Sequence, residues 1–112
     1  MTKNKGFSGT SANRYSSALY ELAEESSVLS QIEINAISIL NLIEKSDDFK
    51  NLIKDPTVSQ NDLINAINKI FDYLKIENLL KNFTNFLVIK RRFFFLEQIL
   101  NNFIEICSEK RG

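Results

Sequence analysis

Tyr15, Ala18, Leu19, Leu22 and Ala23 fall at i, i+3, i+4, i+7 and i+8, the spacing of one apolar stripe on an α-helix. Ala12 and Tyr20 add apolar surface outside that stripe. A helix apolar over more than one face must be central to its fold or meet a partner beyond it. The same helical period recurs down the chain, while one Pro and three Gly leave little of the punctuation that strands and tight hairpins need. The expected fold class is all-α, a six-helix bundle in a single domain.

Residues 1–10 are polar and read as a mobile lead-in, with Thr10 or Ser11 capping the first helix, which runs to about Ser26. Ile32, Ala36, Ile39, Leu40 and Ile43 mark a second helix from about Leu29. Ile34 and Ile37 broaden its stripe, as in a helix wedged between neighbours. Ser46 caps a short third helix whose first-turn acids, Asp47 and Asp48, suit the N-terminal dipole, and Asp55-Pro56 ends it. Ser59 and Asp62 resemble a capping box opening a fourth helix with Leu63, Ile67, Ile70, Phe71 and Leu74 inside. A fifth is expected over about Ile76 to Ile89 and a sixth from Arg92 to Glu109, so the bundle spans residues 11–109. No Gly or Pro marks the turn at Lys90-Arg91-Arg92, and all three are good helix formers.

The residue types narrow the chemistry. There is no histidine, the commonest general base and metal ligand, and a single cysteine builds neither a disulfide nor a zinc site. Cys107 reads as a small buried hydrophobe. No Gly-rich loop suits a phosphate, and Asp47 and Asp48, adjacent on a helix, point apart. No catalytic, cofactor or metal site is expected. No apolar run approaches the roughly 18 residues of a bilayer span. Fourteen basic and fourteen acidic residues cancel, which gives no long-range pull toward nucleic acid or anionic lipid. The charges are nevertheless segregated: Glu21, Glu24, Glu25 and Glu33 form an acidic stretch, and Lys81, Lys90, Arg91 and Arg92 a basic one. In Lys90-Arg91-Arg92-Phe93-Phe94-Phe95, bases beside aromatics fit single-stranded nucleic acid, but at about 100° per residue the rings fan out and Phe95 joins the core with Ile99.

The run from Arg14 to Ala23 resembles the first helix of the δ subunit of F-type ATP synthase, called OSCP in mitochondria, with its Arg-Tyr-Ala-x-Ala-Leu-Phe-Glu-Leu-Ala pattern. Arg14, Tyr15, Ala18, Leu19, Glu21, Leu22 and Ala23 match it, and Tyr20 replaces Phe. Phe49 to Ser59, around Asp55-Pro56, and Asn82-Phe83 through Arg91-Arg92 to Phe103 are similar to two further segments of that family, in order, across about residues 8 to 107. Lys90 stands where the family has a helix-ending Asn.

The resemblance implies a non-catalytic stator component that sits on the F1 head and serves ATP synthesis and proton transport. It grips the N-terminal helix of an α subunit in a groove between the first and fifth helices. Tyr15, Ala18, Leu22, Phe83 and Phe86 would contact that partner, with Leu19 and Ala23 facing the core. The b-subunit stalk would be reached only through a C-terminal domain not represented here. No nucleic acid, cofactor or membrane insertion is implied, and the location would be the cytoplasmic face of a bacterial inner membrane or the matrix side in a mitochondrion. The alternative is a NusB-like RNA-binding helical bundle, whose first helix is also similar.

Overall fold

The computed structural model describes residues 6–112, with side chains from Ser11 onward. Six α-helices follow one another: α1 (Gly6–Glu25), α2 (Leu29–Lys45), α3 (Asp47–Lys54), α4 (Gln60–Leu74), α5 (Asn78–Ile89) and α6 (Leu96–Arg111), with a 3-10 turn, Phe93–Phe95, before α6. No strand occurs among the described residues, and the domain is all-α as expected. The part of the expected lead-in at residues 1–5 lies outside the described residues. From Gly6 on the chain is already helical, so Thr10 and Ser11 sit inside α1 instead of capping it.

Two of the expected caps form. The Ser46 hydroxyl accepts from the Phe49 amide at 3.1 Å, and the Ser59 hydroxyl from the Asp62 amide at 3.1 Å, each satisfying one donor that a helix start leaves orphaned. Asp55, extended before Pro56, ends α3, and its carboxylate then accepts from the Thr57 amide and hydroxyl at 2.9 and 2.6 Å. Those two bonds hold the Asp55 carboxyl below its usual range.

Helix ends without glycine are the chief departure from expectation. Ser27, Lys75 and Arg91 all adopt the left-handed conformation, with φ near 60°. After α1, Ser27 N donates to Glu24 O and Val28 N to Ala23 O; after α4, Lys75 N donates to Asp72 O and Ile76 N to Phe71 O. After α5, Arg91 N donates to Val88 O and Arg92 N to Leu87 O. Each pair is the double bond of a Schellman motif, which ties up the last carbonyls of the helix. The turn at Lys90-Arg91-Arg92 therefore ends α5 without the family's Asn. It feeds the 3-10 turn, whose tighter winding directs Phe93 and Phe95 inward and leaves Phe94 exposed.

Leu19, Ile39, Ile67, Phe71, Leu80, Leu87, Ile99 and Phe103 are fully buried in one core. Helix α1 packs most extensively on α6, and also on α2 and α5. Ala12 and Tyr20, the residues off its main stripe, are both buried. Helix α2 is less enclosed than its apolar breadth suggested. Asn35 and Ala36 face inward, but Ile34 and Ile37 are 58% and 45% exposed. The inward Asn35 accepts the Glu77 amide at 2.8 Å and so fixes the link between α4 and α5. That bond and the α4 Schellman motif hold Ile76 and Glu77 outside the helix, and α5 starts at Asn78, two residues later than the sequence suggested.

Candidate functional site

Helix α1 presents its two apolar faces to different surroundings. Leu19 and Ala23 point into the core, whereas Tyr15, Ala18 and Leu22, offset around the helix, border open space. Helix α5 divides in the same way. Leu80, Leu87 and Val88 are buried, and Leu79, Phe83 and Phe86 lie along the side turned toward α1.

Between the two helices lies an open cleft of about 740 Å³. Ser11, Arg14, Tyr15, Ala18 and Leu22 line it from α1; Leu79, Asn82, Phe83 and Phe86 line it from α5; Arg92 closes one corner. All five residues singled out in the sequence, Tyr15, Ala18, Leu22, Phe83 and Phe86, thus come together on one surface. Their burial differs, which separates floor from rim. Phe83 is 7% exposed and forms the floor, while Phe86 and Leu22 are 43% and 44% exposed at the edges. Tyr15 and Phe86 meet edge to face at one end of the cleft, ring centroids 6.4 Å apart. The Lys90 ammonium lies 5.8 Å from the centre of the Phe86 ring, within reach of a cation–π attraction.

Seven residues separate Tyr15 from Leu22 and Leu79 from Phe86, about two helical turns or roughly 10 Å. The hollow at the end of α1 is lined by Glu24 and Ser27 together with Glu77, just ahead of α5. The helices therefore run antiparallel, with Tyr15 and Phe86 at one end of the cleft and Leu22 and Leu79 at the other. Apolar-lined grooves between helices are a recurring seat for amphipathic helices.

Two hollows escaped the sequence reading. One, of about 510 Å³, lies among α2, α3 and α4 beneath the exposed Tyr73; the other, of about 560 Å³, lies between Val58 and Phe94. Tyr73 lies off the inner stripe of α4, and Phe94 stands between the buried Phe93 and Phe95, where periodicity alone does not show which of three adjacent rings turns outward. With Phe93 and Phe95 buried, the three phenylalanines form no shared stacking platform.

No cluster of three or more His, Cys, Asp or Glu able to hold a metal ion occurs among the described residues. No helix among the described residues is long and apolar enough to cross a membrane. Cys107 is 2% exposed, and burial, aided by the Glu33 carboxylate, pushes its thiol up to about 11.

Fold and site together define a helical-bundle domain with one face of two antiparallel helices left open as an apolar trough. The family model of the ATP synthase delta (OSCP) subunit matches residues 12–112, and the chain belongs to that family. It is 56% identical over 112 residues to the ATP synthase subunit delta of Pelagibacter ubique, covering 100% of this chain and 60% of that one. To the subunit delta of a Chelativorans species it is 35% identical over 101 residues, covering 90% and 54% respectively. The chain thus spans a little over half the length of these curated relatives. Its fold is also that of a chain in the cryo-EM structure of the Toxoplasma gondii mitochondrial ATP synthase hexamer, with a TM-score of 0.78 and 24% identity over 82% of this chain and 51% of that one.

Proposed function

We propose that this domain is the part of a delta-type stator subunit that holds the F1 head, by clasping the N-terminal helix of an α subunit in the trough between α1 and α5. The observation that carries this reading is the convergence of Tyr15, Ala18, Leu22, Phe83 and Phe86, from two helices, on one open apolar surface. Phe83 is the floor on which an apolar side chain of the partner rests. Tyr15 and Phe86 form an aromatic wall, the residue type that supplies binding hot spots. Ala18, exposed and small, lets a partner helix come close.

The role is mechanical and non-catalytic. Rotor torque loads the head, and a domain fixed to the head passes that load to the peripheral stalk, which the rest of a delta subunit reaches through the b subunit. The domain works as a peripheral component of F1, at the cytoplasmic face of a bacterial inner membrane or on the matrix side in a mitochondrion. Calorimetric titration of the chain with a synthetic peptide of the α-subunit N-terminus tests the reading. One-to-one binding with a negative heat-capacity change, the mark of apolar burial, is expected; a folded domain that gives no heat of binding refutes it.

A further inference from the structure

The trough is apolar along its length but unlike at its two ends. Arg14 and Arg92 line it beside Tyr15 and Phe86, and Lys90 stands over the Phe86 ring. No acidic residue lines the trough among the described residues, and none there forms an ion pair with Arg14, Lys90 or Arg92. The Arg92 guanidinium instead donates to the Lys90 and Arg91 carbonyls at 3.2 and 3.3 Å, which holds it at the mouth with its charge unneutralised. Toward the Leu22 end the sign reverses. Glu21 and Glu25 flank Leu22 at helical spacing, both exposed, and Glu24 and Glu77 line the adjoining hollow. Lys81 and Lys75 are the bases nearest that end in sequence, against four carboxylates, and Lys81 is already paired with Asp72.

We propose that the occupant of the trough is an amphipathic helix carrying carboxylates beside its apolar face at one end, and that these pair with Arg14, Lys90 and Arg92. The proposal rests on the reading of the trough as the α-subunit site and adds the charge and direction of what lies in it. Three bases gathered around an apolar wall repel one another unless an anion arrives. A carboxylate placed at the opposite end would meet Glu21 and Glu25. The two ends together therefore fix which way the helix runs and its register along Tyr15, Ala18 and Leu22. Unlike the apolar contact, which tolerates sliding, this pairing discriminates.

The test is calorimetric titration of the 112-residue chain with a peptide of about 25 residues from the N-terminus of the α subunit of the same organism, long enough to span the trough as a helix. Its acidic residues are left intact in one version and changed to the corresponding amides in another. With the acidic peptide at low salt, Arg14→Glu and Arg92→Glu each weaken binding about three- to tenfold, and the loss shrinks at high salt. Lys45→Glu, the same charge change on α2, alters affinity less than about twofold. With the amide peptide the Arg14→Glu loss disappears. Equal binding by the arginine variants and the unaltered chain, or an undiminished loss with the amide peptide, overturns the charge assignment while the trough remains the site. No binding by the unaltered chain overturns both.

Discussion

Tyr15 of α1 and Phe86 of α5 lie edge to face with ring planes at 62° and centroids 6.4 Å apart, although 71 positions separate them in the chain. The pair forms one wall of the trough, and neither ring is fully buried by the fold itself. Edge-to-face rings attract by about 0.5–1.5 kcal/mol beyond the area they bury, enough to orient both side chains before a partner arrives. Orientation in advance is what lets such a surface bind without first paying to order it.

Truncating that wall separates binding from folding. Phe86→Ala weakens α-peptide binding by about 1–3 kcal/mol, the scale of a hot-spot loss, and lowers thermal stability only slightly because the ring is partly exposed. Ala18→Trp blocks the trough by bulk and leaves the circular dichroism spectrum unchanged. An intact affinity for either folded variant counts against the placement.

Glycine at the helix ends stabilises the fold. A residue with a Cβ held in the left-handed region costs about 1–2 kcal/mol, and glycine returns part of that as chain entropy in the unfolded state, about 0.4–1 kcal/mol. Ser27→Gly, Lys75→Gly and Arg91→Gly each raise stability by about 0.5–1 kcal/mol, roughly 2–6 °C in Tm for a domain of this size. Scanning calorimetry measures the shift, and a drop in Tm at all three sites refutes the assigned turns.

Ser16 carries the contact between α1 and α6. It is fully buried, its hydroxyl 2.8 Å from the Ala12 carbonyl and 2.7 Å from the Ile99 carbonyl, so its one proton bridges or alternates between the two helices. Ser16→Ala costs about 0.5–1.5 kcal/mol. Ser16→Leu overpacks the crossing and costs about 1–3 kcal/mol or more. Urea denaturation distinguishes them, and equal midpoints for Leu and Ala would show that the crossing is not tight.

Alkaline pH loosens the domain. Cys107 in the fold titrates near 11, against 9.0 when free, because burial and then Glu33 disfavour the thiolate, with Arg111 opposing. Burial, Glu24 and Cys107 likewise raise Tyr20 above 10.0. Both groups are neutral in the folded and unfolded states at neutral pH. As pH rises through 9 the unfolded chain loses the Cys107 proton first, so the stability contributed by the neutral form declines from about pH 9 to pH 11. Melting temperature falls across that window, Cys107→Ala flattens part of the decline, and the native thiol reacts with disulfide reagents at pH 8 far more slowly than the urea-unfolded one.

The parts of this fold that were legible in the sequence are those that local chemistry decides. Ser46, Ser59 and Pro56 mark helix limits because a hydroxyl or a missing amide acts within three residues. The division of α1 into Leu19 and Ala23 against Tyr15, Ala18 and Leu22 follows from the helical period. Distant partners decided the rest. Asn35 reads as a polar interruption of α2 until Glu77 is brought to it by the turn after α4. The Arg91 and Arg92 amides end α5 through bonds to the Val88 and Leu87 carbonyls that no residue preference announces, and Ile34 and Ile37 extend an apolar stripe that the bundle does not cover.

The most direct test of the central claim is an amide chemical-shift map of the chain during titration with the α-subunit N-terminal peptide. The account predicts shifts concentrated on Tyr15, Ala18, Leu22, Leu79, Phe83 and Phe86, with Phe49 and Tyr73 across the domain unmoved. Saturable shifts centred on Phe49 and Tyr73, with the α1–α5 trough silent, would contradict it.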